Sequence, residues 1–217
     1  MRLENIKIRN FRLLRRLSID LAQDKTTTIL VGPNNSGKTS VMEALRLFIG
    51  QGAEAPKISF HDLSQLRHRD LKRIERKVAA EADPEKKIEL LRRLTPRMRL
   101  DLTFSYGEDP ADLVAATKLL MDLTPGTSRV RMRIDYRLEN AKKLLDEFGA
   151  RPRKDVSLCD YLKETFRDHF KRVFFKVSPD GKEVEQLEDG NLLKSLLRID
   201  IVPAQRHVDD DEGSRSA

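Results

Sequence analysis

Residues 32–39 read Gly32-Pro33-Asn34-Asn35-Ser36-Gly37-Lys38-Thr39 and match the P-loop pattern G-x-x-x-x-G-K-[ST]. The run Thr27–Val31 before the loop is short and β-prone, and apolar residues after the loop recur at helical spacing until Gly50. A strand before the loop and a helix after it are the context that the motif requires. The sequence therefore predicts a nucleotide-binding site in an α/β P-loop fold.

Positions within the loop have separate chemical roles. The backbone N–H groups of the loop can surround phosphate oxygens at the positive end of the following helix. Lys38 is predicted to reach the β- and γ-phosphates of ATP, and the Thr39 hydroxyl is predicted to bind the Mg²⁺ ion that bridges them. The predicted contacts to the nucleotide are Gly32, Pro33, Asn34, Asn35, Ser36, Gly37, Lys38, Thr39 and Ser40.

Composition narrows the class of protein. The chain has 217 residues, of which 39% are hydrophobic and 35% charged, enough for one domain or two small ones with a core. The sequence has no apolar run of membrane-spanning length, and its N-terminus lacks the features of a signal peptide, so a cytoplasmic location is expected. Cys159 is the single cysteine, and the four histidines share no metal-ligand spacing. A net charge of +7 permits attraction to nucleic acid without establishing it.

The residues around the loop carry a family resemblance. The run I-K-I-R-N-F-R at 6–12 is followed by I-D-L at 19–21 and by I-L-V-G-P-N-N-S-G-K-T-S-V-M-E-A-L at 29–45. This order resembles the N-terminal half of an ABC-type ATPase head. It is most similar to the branch that SMC-like and RecF-like DNA proteins share with the overcoming-lysogenization-defect (OLD) family of ATP-dependent nucleases. The resemblance is tight up to Gly50 and loose beyond it.

The resemblance implies further site residues. The positions where related heads approach the adenine base correspond to Asn10, Phe11 and Arg12. In such heads a strand leads into a loop whose Gln reaches Mg²⁺ and the attacking water. Gln205, after a strand predicted at 198–202, matches that Gln as a catalytic and metal-binding residue, and Arg206 follows it. An ordinary polar loop is the alternative for both residues.

Several parts of a complete ATPase of this kind are not found in the sequence. It lacks an L-S-G-G-type signature, a switch histidine and the residues of a Toprim nuclease site. The acids at 209–212 follow the last predicted strand only after PAQRHV, so they are interpreted as a tail and not as a Walker B motif. The chain is therefore expected to be the first lobe of a longer or paired ATPase that binds Mg-ATP and hydrolyses it poorly alone.

The resemblance also implies partners and biology. Two heads would enclose the nucleotides, in a homodimer or higher oligomer, and DNA is the expected substrate of the complete protein. An OLD-like nuclease in anti-phage defence is the favoured interpretation. A SMC-like or RecF-like DNA repair ATPase and a non-hydrolysing interaction module that uses nucleotide to order a partner surface are the alternatives.

The predicted architecture is an α/β P-loop lobe with a mixed sheet, an antiparallel β portion and a helical-hairpin insertion. The ATPase lobe spans 1–60 and 98–208, the charged hairpin 61–97, and an acidic and polar tail 209–217. The hairpin is expected to project from the lobe, with Asp83-Pro84 starting its second helix. Strands at 99–106 and 130–138 should pair antiparallel, with one apolar face and one face carrying Arg129, Arg131, Arg133 and Arg137. Helices are predicted over 110–122, 158–170 and 192–197, and a hairpin over 173–187.

Overall fold

A six-stranded sheet forms the centre of the computed structural model, which describes residues 1–21, 27–50, 57–121, 128–152, 155–188 and 190–197. The strands lie in the order β2-β1-β3-β4-β5-β6, and every pairing is antiparallel. Their bounds are β1 Arg2–Phe11, β2 Leu14–Asp20, β3 Met98–Ser105, β4 Arg129–Leu138, β5 Phe170–Val177 and β6 Val184–Leu187.

The two faces of the sheet differ as the alternation in the sequence predicts. Leu100 and Leu102 of β3 and Met132 and Ile134 of β4 are fully buried on one face. The residues between them carry charges and lie on the opposite face, which we call the outer face. Since side chains alternate along a strand, the antiparallel pairing of β3 with β4 produces one apolar and one basic surface, as predicted.

Helices supply the rest of the core. The seven helices of the described residues are α1 Lys38–Ile49, α2 Gln65–Ala80, α3 Pro84–Leu94, α4 Pro110–Thr117, α5 Ala141–Ala150, α6 Leu158–His169 and α7 Asn191–Leu196, with a 3₁₀ turn at Phe60–Asp62. Several begin at the caps that the sequence indicates: Asp83 accepts a hydrogen bond from the Glu85 N–H at 2.8 Å, and Ser157 accepts one from the Asp160 N–H at 3.2 Å. Helix α5 was not predicted, although Asn140 caps it by accepting from the Lys143 N–H.

The predicted mixed sheet is not found among the described residues. Thr27–Val31, expected to be its P-loop strand, has no strand geometry and pairs with no described neighbour. Its apolar side chains are exposed, with Ile29 at 78% and Val31 at 89% of full exposure. A strand forms only where another strand takes up its hydrogen-bonding groups, and the antiparallel sheet does not extend to this run. The strand predicted at 198–202 and the tail at 209–217 lie outside the described residues.

The helical hairpin packs against the body and does not project from it. Leu71, Ile74 and Val78 of α2 and Leu91 of α3 are buried. Helix α2 packs on α6 and α3 packs on α5, so the two apolar stripes of the hairpin complete a four-helix layer. The helix predicted over 110–122 is also shorter than expected, because α4 ends at Thr117.

Buried His169 gives the fold a pH dependence. Its side chain is inaccessible to solvent, and neither ring nitrogen has a hydrogen-bond partner among the described residues, although the Glu147 carboxylate lies 3.3 Å from Nε2. Burial lowers the pKa of His169 below its ordinary value of 6.5, against the opposing charge of Glu147, and burial likewise lowers the pKa of His68. At acidic pH these histidines therefore bind more protons in the unfolded chain than in the folded chain.

We expect the free energy of unfolding to be at its full value above about pH 6.5 and to fall as the pH decreases below it. Urea unfolding from pH 7.5 to 5.5 measures this loss. His169→Gln, which does not titrate, should flatten the profile, whereas the same change at exposed His61 is the matched control. Equal pH profiles for His169→Gln and the unmodified chain would contradict the assignment.

Candidate nucleotide-binding site

The P-loop turns sharply into α1, and its glycines make that turn possible. Gly37 has φ of +97°, and a Cβ there would lie 2.9 Å from Leu14 Cδ2, so a larger residue would be strained and would displace the Leu14 side chain. A Cβ at Gly32 would lie 2.9 Å from Ser36 Oγ. Asn35 also has positive φ, at +63°, a conformation that asparagine tolerates better than most residues. The positive φ of Gly37 therefore explains the glycine that precedes Lys38 in the motif.

The Lys38 ammonium lies against the loop that precedes it. Its Nζ donates hydrogen bonds to the Gly32 carbonyl at 2.5 Å and the Pro33 carbonyl at 2.7 Å, and Ser36 Oγ is 3.5 Å away. Both acceptors are neutral carbonyls in an exposed segment. Phosphate oxygens are stronger acceptors for an ammonium than carbonyls are, so the side chain is placed to exchange these contacts for a phosphate group.

The first turn of α1 is suited to an anion. Gly37 is its N-cap and offers no side-chain cap, and the first turn contains no acidic residue. The unsatisfied N–H groups and the helix dipole therefore present positive potential beside the loop. Thr39 is exposed at this end of the helix, whereas Ser40 is buried. The predicted roles of the Thr39 hydroxyl toward Mg²⁺ and of the loop backbone toward phosphates stay predictions.

The three residues predicted near the base are in different environments. Phe11 is fully buried and packs edge-on against Phe48, with ring centroids 6.0 Å apart, so its side chain offers no surface to a base in this structure. Arg12 is half-exposed and donates to the Asp62 carboxylate at 2.8 Å. The Asn10 side chain links β1 to two other segments: it donates to the Arg97 carbonyl and accepts from Arg67 Nε at 2.9 Å. The roles of Asn10 and Arg12 toward a nucleotide stay predictions.

All four arginines predicted on the outer face of β4 have hydrogen-bond partners in the fold. Arg129 donates to Glu4 at 2.7 Å and Arg133 to Asp101 at 2.7 Å. Arg131 donates to the Pro179 carbonyl and Arg137 to Gln186. The buried Asp135 accepts two hydrogen bonds from Arg99, at 2.7 and 2.9 Å. The charges of Arg129 and Arg133 are therefore offset by acids within the fold, whereas Arg131 and Arg137 donate to neutral groups and keep their charge.

The contact that sequence reasoning missed at this site is the one between Leu14 of β2 and the P-loop glycine. No sequence signal joins positions 14 and 37, because the contact depends on how the turn after β1 packs under the loop. Gln205 and Arg206 lie outside the described residues. Within the described ranges no group of three or more His, Cys, Asp or Glu side chains could hold a metal ion. None of the helices found there is long and apolar enough to cross a membrane.

A comparison with protein-family models identifies the family to which this sheet and loop belong. Residues 1–212 match the model of the AAA ATPase domain. The chain belongs to the AAA ATPase domain family. As an AAA ATPase domain it is expected to bind ATP, typically with Mg²⁺, which agrees with the chemistry of residues 32–40.

Solved structures similar to this AAA ATPase domain include one from a study of ATP-driven dimerization and DNA-stimulated activation of SMC ATPases. The two chains share 13% identity, with a TM-score of 0.43, over 90% of this chain and 78% of that one. No curated protein matches the sequence.

Proposed function

We propose that this AAA ATPase domain binds Mg-ATP at residues 32–40 and that the bound nucleotide controls its association with a second ATPase half. The observation that carries the proposal is the placement of Lys38, whose ammonium contacts two loop carbonyls at the uncapped N-terminus of α1. Together these groups concentrate positive charge at a helix N-terminus, the arrangement that binds phosphate groups.

The chain's own residues would act in binding and orientation. The N–H groups at the start of α1 would donate to phosphate oxygens, and Lys38 would neutralise charge on the β- and γ-phosphates. The Thr39 hydroxyl would hold Mg²⁺, whose charge, when the ion is bound, offsets that of the two phosphates it bridges. Gln205 would orient the attacking water, a role that rests on its place in the sequence alone.

The requirement for a second half rests on the exposed run before the loop. Ile29, Leu30 and Val31 are 78%, 40% and 89% exposed, although the run has the apolar, β-branched composition of a strand covered on both faces. A second ATPase half that adds strands beside this run would bury those side chains and would bring the acidic group that hydrolysis needs.

The finer assignment, an OLD-like nuclease that acts on DNA in anti-phage defence, rests on the resemblance of residues 6–45. A DNA repair head of the SMC or RecF type shares that resemblance. ATP turnover that appears when a second half is added would favour an OLD-like or SMC/RecF-like ATPase. A non-hydrolysing interaction module would show no turnover in that experiment.

Titration calorimetry with ATP, in the presence and absence of Mg²⁺, tests the proposal on the unmodified chain, with phosphate release followed in the same samples. We expect Mg-dependent binding with negligible turnover. The absence of any binding heat at millimolar ATP would overturn the proposed function. Robust turnover by the chain alone would instead overturn the requirement for a second half.

Replacing Thr39 should separate metal from nucleotide. Thr39→Ala removes the hydroxyl and is expected to weaken Mg-ATP binding by about tenfold, the order of one lost contact to a charged group. Binding of ATP without Mg²⁺ should change little, because the phosphate contacts come from Lys38 and the backbone. Thr39→Ser keeps the hydroxyl and is the matched control. Equal losses with and without Mg²⁺ would contradict a metal-binding role for Thr39.

A further inference from the structure

We infer that the outer face carries a binding surface for the phosphate backbone of duplex DNA where β1 meets β2. We call it the arginine cluster: Arg9 of β1 and Arg15 and Arg16 of β2, with Arg67 of α2 at its rim. The inference deepens the proposed function and rests on its DNA-acting part, not on ATP binding.

Strand register brings like charges together at this surface. Arg16 lies directly opposite Arg9 in the pairing of β2 with β1, and Arg9 lies directly opposite Arg99 in the pairing of β1 with β3. Three arginines thus form one row across three strands. Like charges in directly opposed positions destabilise a sheet, so Arg9 and Arg16 repel each other unless an anion lies over them.

The acids of the outer face neutralise only the Arg99 end of this row. Asp135 accepts two hydrogen bonds from Arg99, and Asp101 accepts one from Arg133. Among the described residues no side-chain hydrogen bond or ion pair joins Arg9, Arg15 or Arg16 to a partner. Arg9 Nε is shielded from solvent with no acceptor within the described structure. Arg15 and Arg16 are exposed and no described acid pairs with them, so their guanidinium groups can bind an anion from outside.

The cluster is concave and wholly cationic. The side chains of Arg9, Arg15, Arg16 and Arg67, with Asn10, line a cavity of about 440 Å³. Arg67 is held at its rim by hydrogen bonds to Asn10 at 2.9 Å and to Asp70 at 2.8 Å. The lining itself contains no carboxylate, and the Asp70 carboxylate lies beside Arg67 at the rim. An anion would therefore contact several guanidinium groups at once.

The chemistry of the lining selects the partner. Guanidinium groups match phosphate oxygens in two-pronged hydrogen bonds. No lining residue is aromatic, so the surface offers no stacking platform for the bases of a single strand. Contacts to phosphates alone position a duplex without reading its sequence. Duplex DNA, with its high density of backbone charge, is therefore the partner that this surface fits.

The cluster is also adjacent to the nucleotide site. Leu14 precedes Arg15 in the chain, and its side chain lies beneath Gly37 of the P-loop. A duplex held by Arg15 and Arg16 would therefore rest on the same turn that supports the loop.

Fluorescence anisotropy with a labelled duplex, measured on the full chain over a range of salt concentrations, tests the inference. Arg15→Gln/Arg16→Gln should weaken binding by about tenfold or more at ~0.1 M salt and should reduce the slope of log affinity against log salt by about 2, near 0.9 for each lost phosphate contact. Adding Arg9→Gln to this double variant should reduce the slope by about 1 further. A single strand of equal length should bind more weakly than the duplex.

Arg92→Gln/Arg93→Gln is the matched control, because it removes two adjacent exposed arginines from α3 of the hairpin. It should leave affinity and slope nearly unchanged. The urea midpoint of the cluster variants should stay the same or rise, since like-charge repulsion is relieved. The inference would be overturned if the cluster variants bound the duplex as the unmodified chain does, or if the control lost as much affinity as they do. It would also be overturned if the unmodified chain preferred single strands or bound no duplex. Mg-ATP calorimetry on the same samples reports the nucleotide site separately.

Discussion

Lys38→Ala should weaken Mg-ATP binding by about 100-fold, the largest effect that we expect of any substitution at the site. The side chain would contribute charge-assisted hydrogen bonds to two phosphates, each worth roughly 1.5–3 kcal/mol, and about 2.7 kcal/mol corresponds to 100-fold in affinity. The structure adds a second reason. Lys38 holds the carbonyls of Gly32 and Pro33 at 2.5 and 2.7 Å, so its removal also frees the P-loop.

Calorimetry with Mg-ATP measures this effect directly, and Arg46→Ala is its charge-matched control. Arg46 lies on the same helix, eight residues or about 12 Å further along, where it pairs with Glu43 on the surface. Its removal should leave ATP affinity within about twofold, the scale of an exposed ion pair. If Lys38→Ala bound ATP as tightly as Arg46→Ala, the P-loop assignment would be wrong.

Local patterns in the sequence predicted local structure well. The G-x-x-x-x-G-K-T spacing indicated a loop followed by a helix, and α1 begins at Lys38 and ends at Ile49. The alternation in β3 and β4 predicted both strands and the division into an apolar and a basic face. Asp83 with Pro84 marked the start of α3, because capping depends on residues that are neighbours in the chain.

Features that depend on contacts between distant segments were not predictable in the same way. Thr27–Val31 has the composition of a buried strand, yet its geometry depends on neighbouring strands, and none of those described lies beside it. The charge of the hairpin predicts a projecting arm, but its apolar stripes pack on α5 and α6. The row of Arg16, Arg9 and Arg99 exists only through strand register, which joins Arg9 to a residue 90 positions further along the chain.

The core under the P-loop helix is where a substitution should cost most stability. Phe48 of α1 is fully buried against Phe11 of β1, and its carbonyl accepts a hydrogen bond from Arg172 at 3.0 Å. Phe48→Ala leaves a cavity between helix and sheet, so we expect the free energy of unfolding to fall by about 3–5 kcal/mol. Because α1 carries Lys38 and Thr39 at its other end, its docking on β1 also determines where those side chains lie.

Urea unfolding of Phe48→Ala and Met42→Ala compares two faces of the same helix. Met42 is an apolar residue that is 45% exposed, so its truncation should change the free energy of unfolding by no more than about 0.5 kcal/mol. Phe48→Leu should lie between the two, since it keeps most of the buried volume. Equal losses for Phe48→Ala and Met42→Ala would contradict the packing of α1 on β1. A large loss at Phe48 alone would show that the sheet supports the helix that presents the nucleotide site.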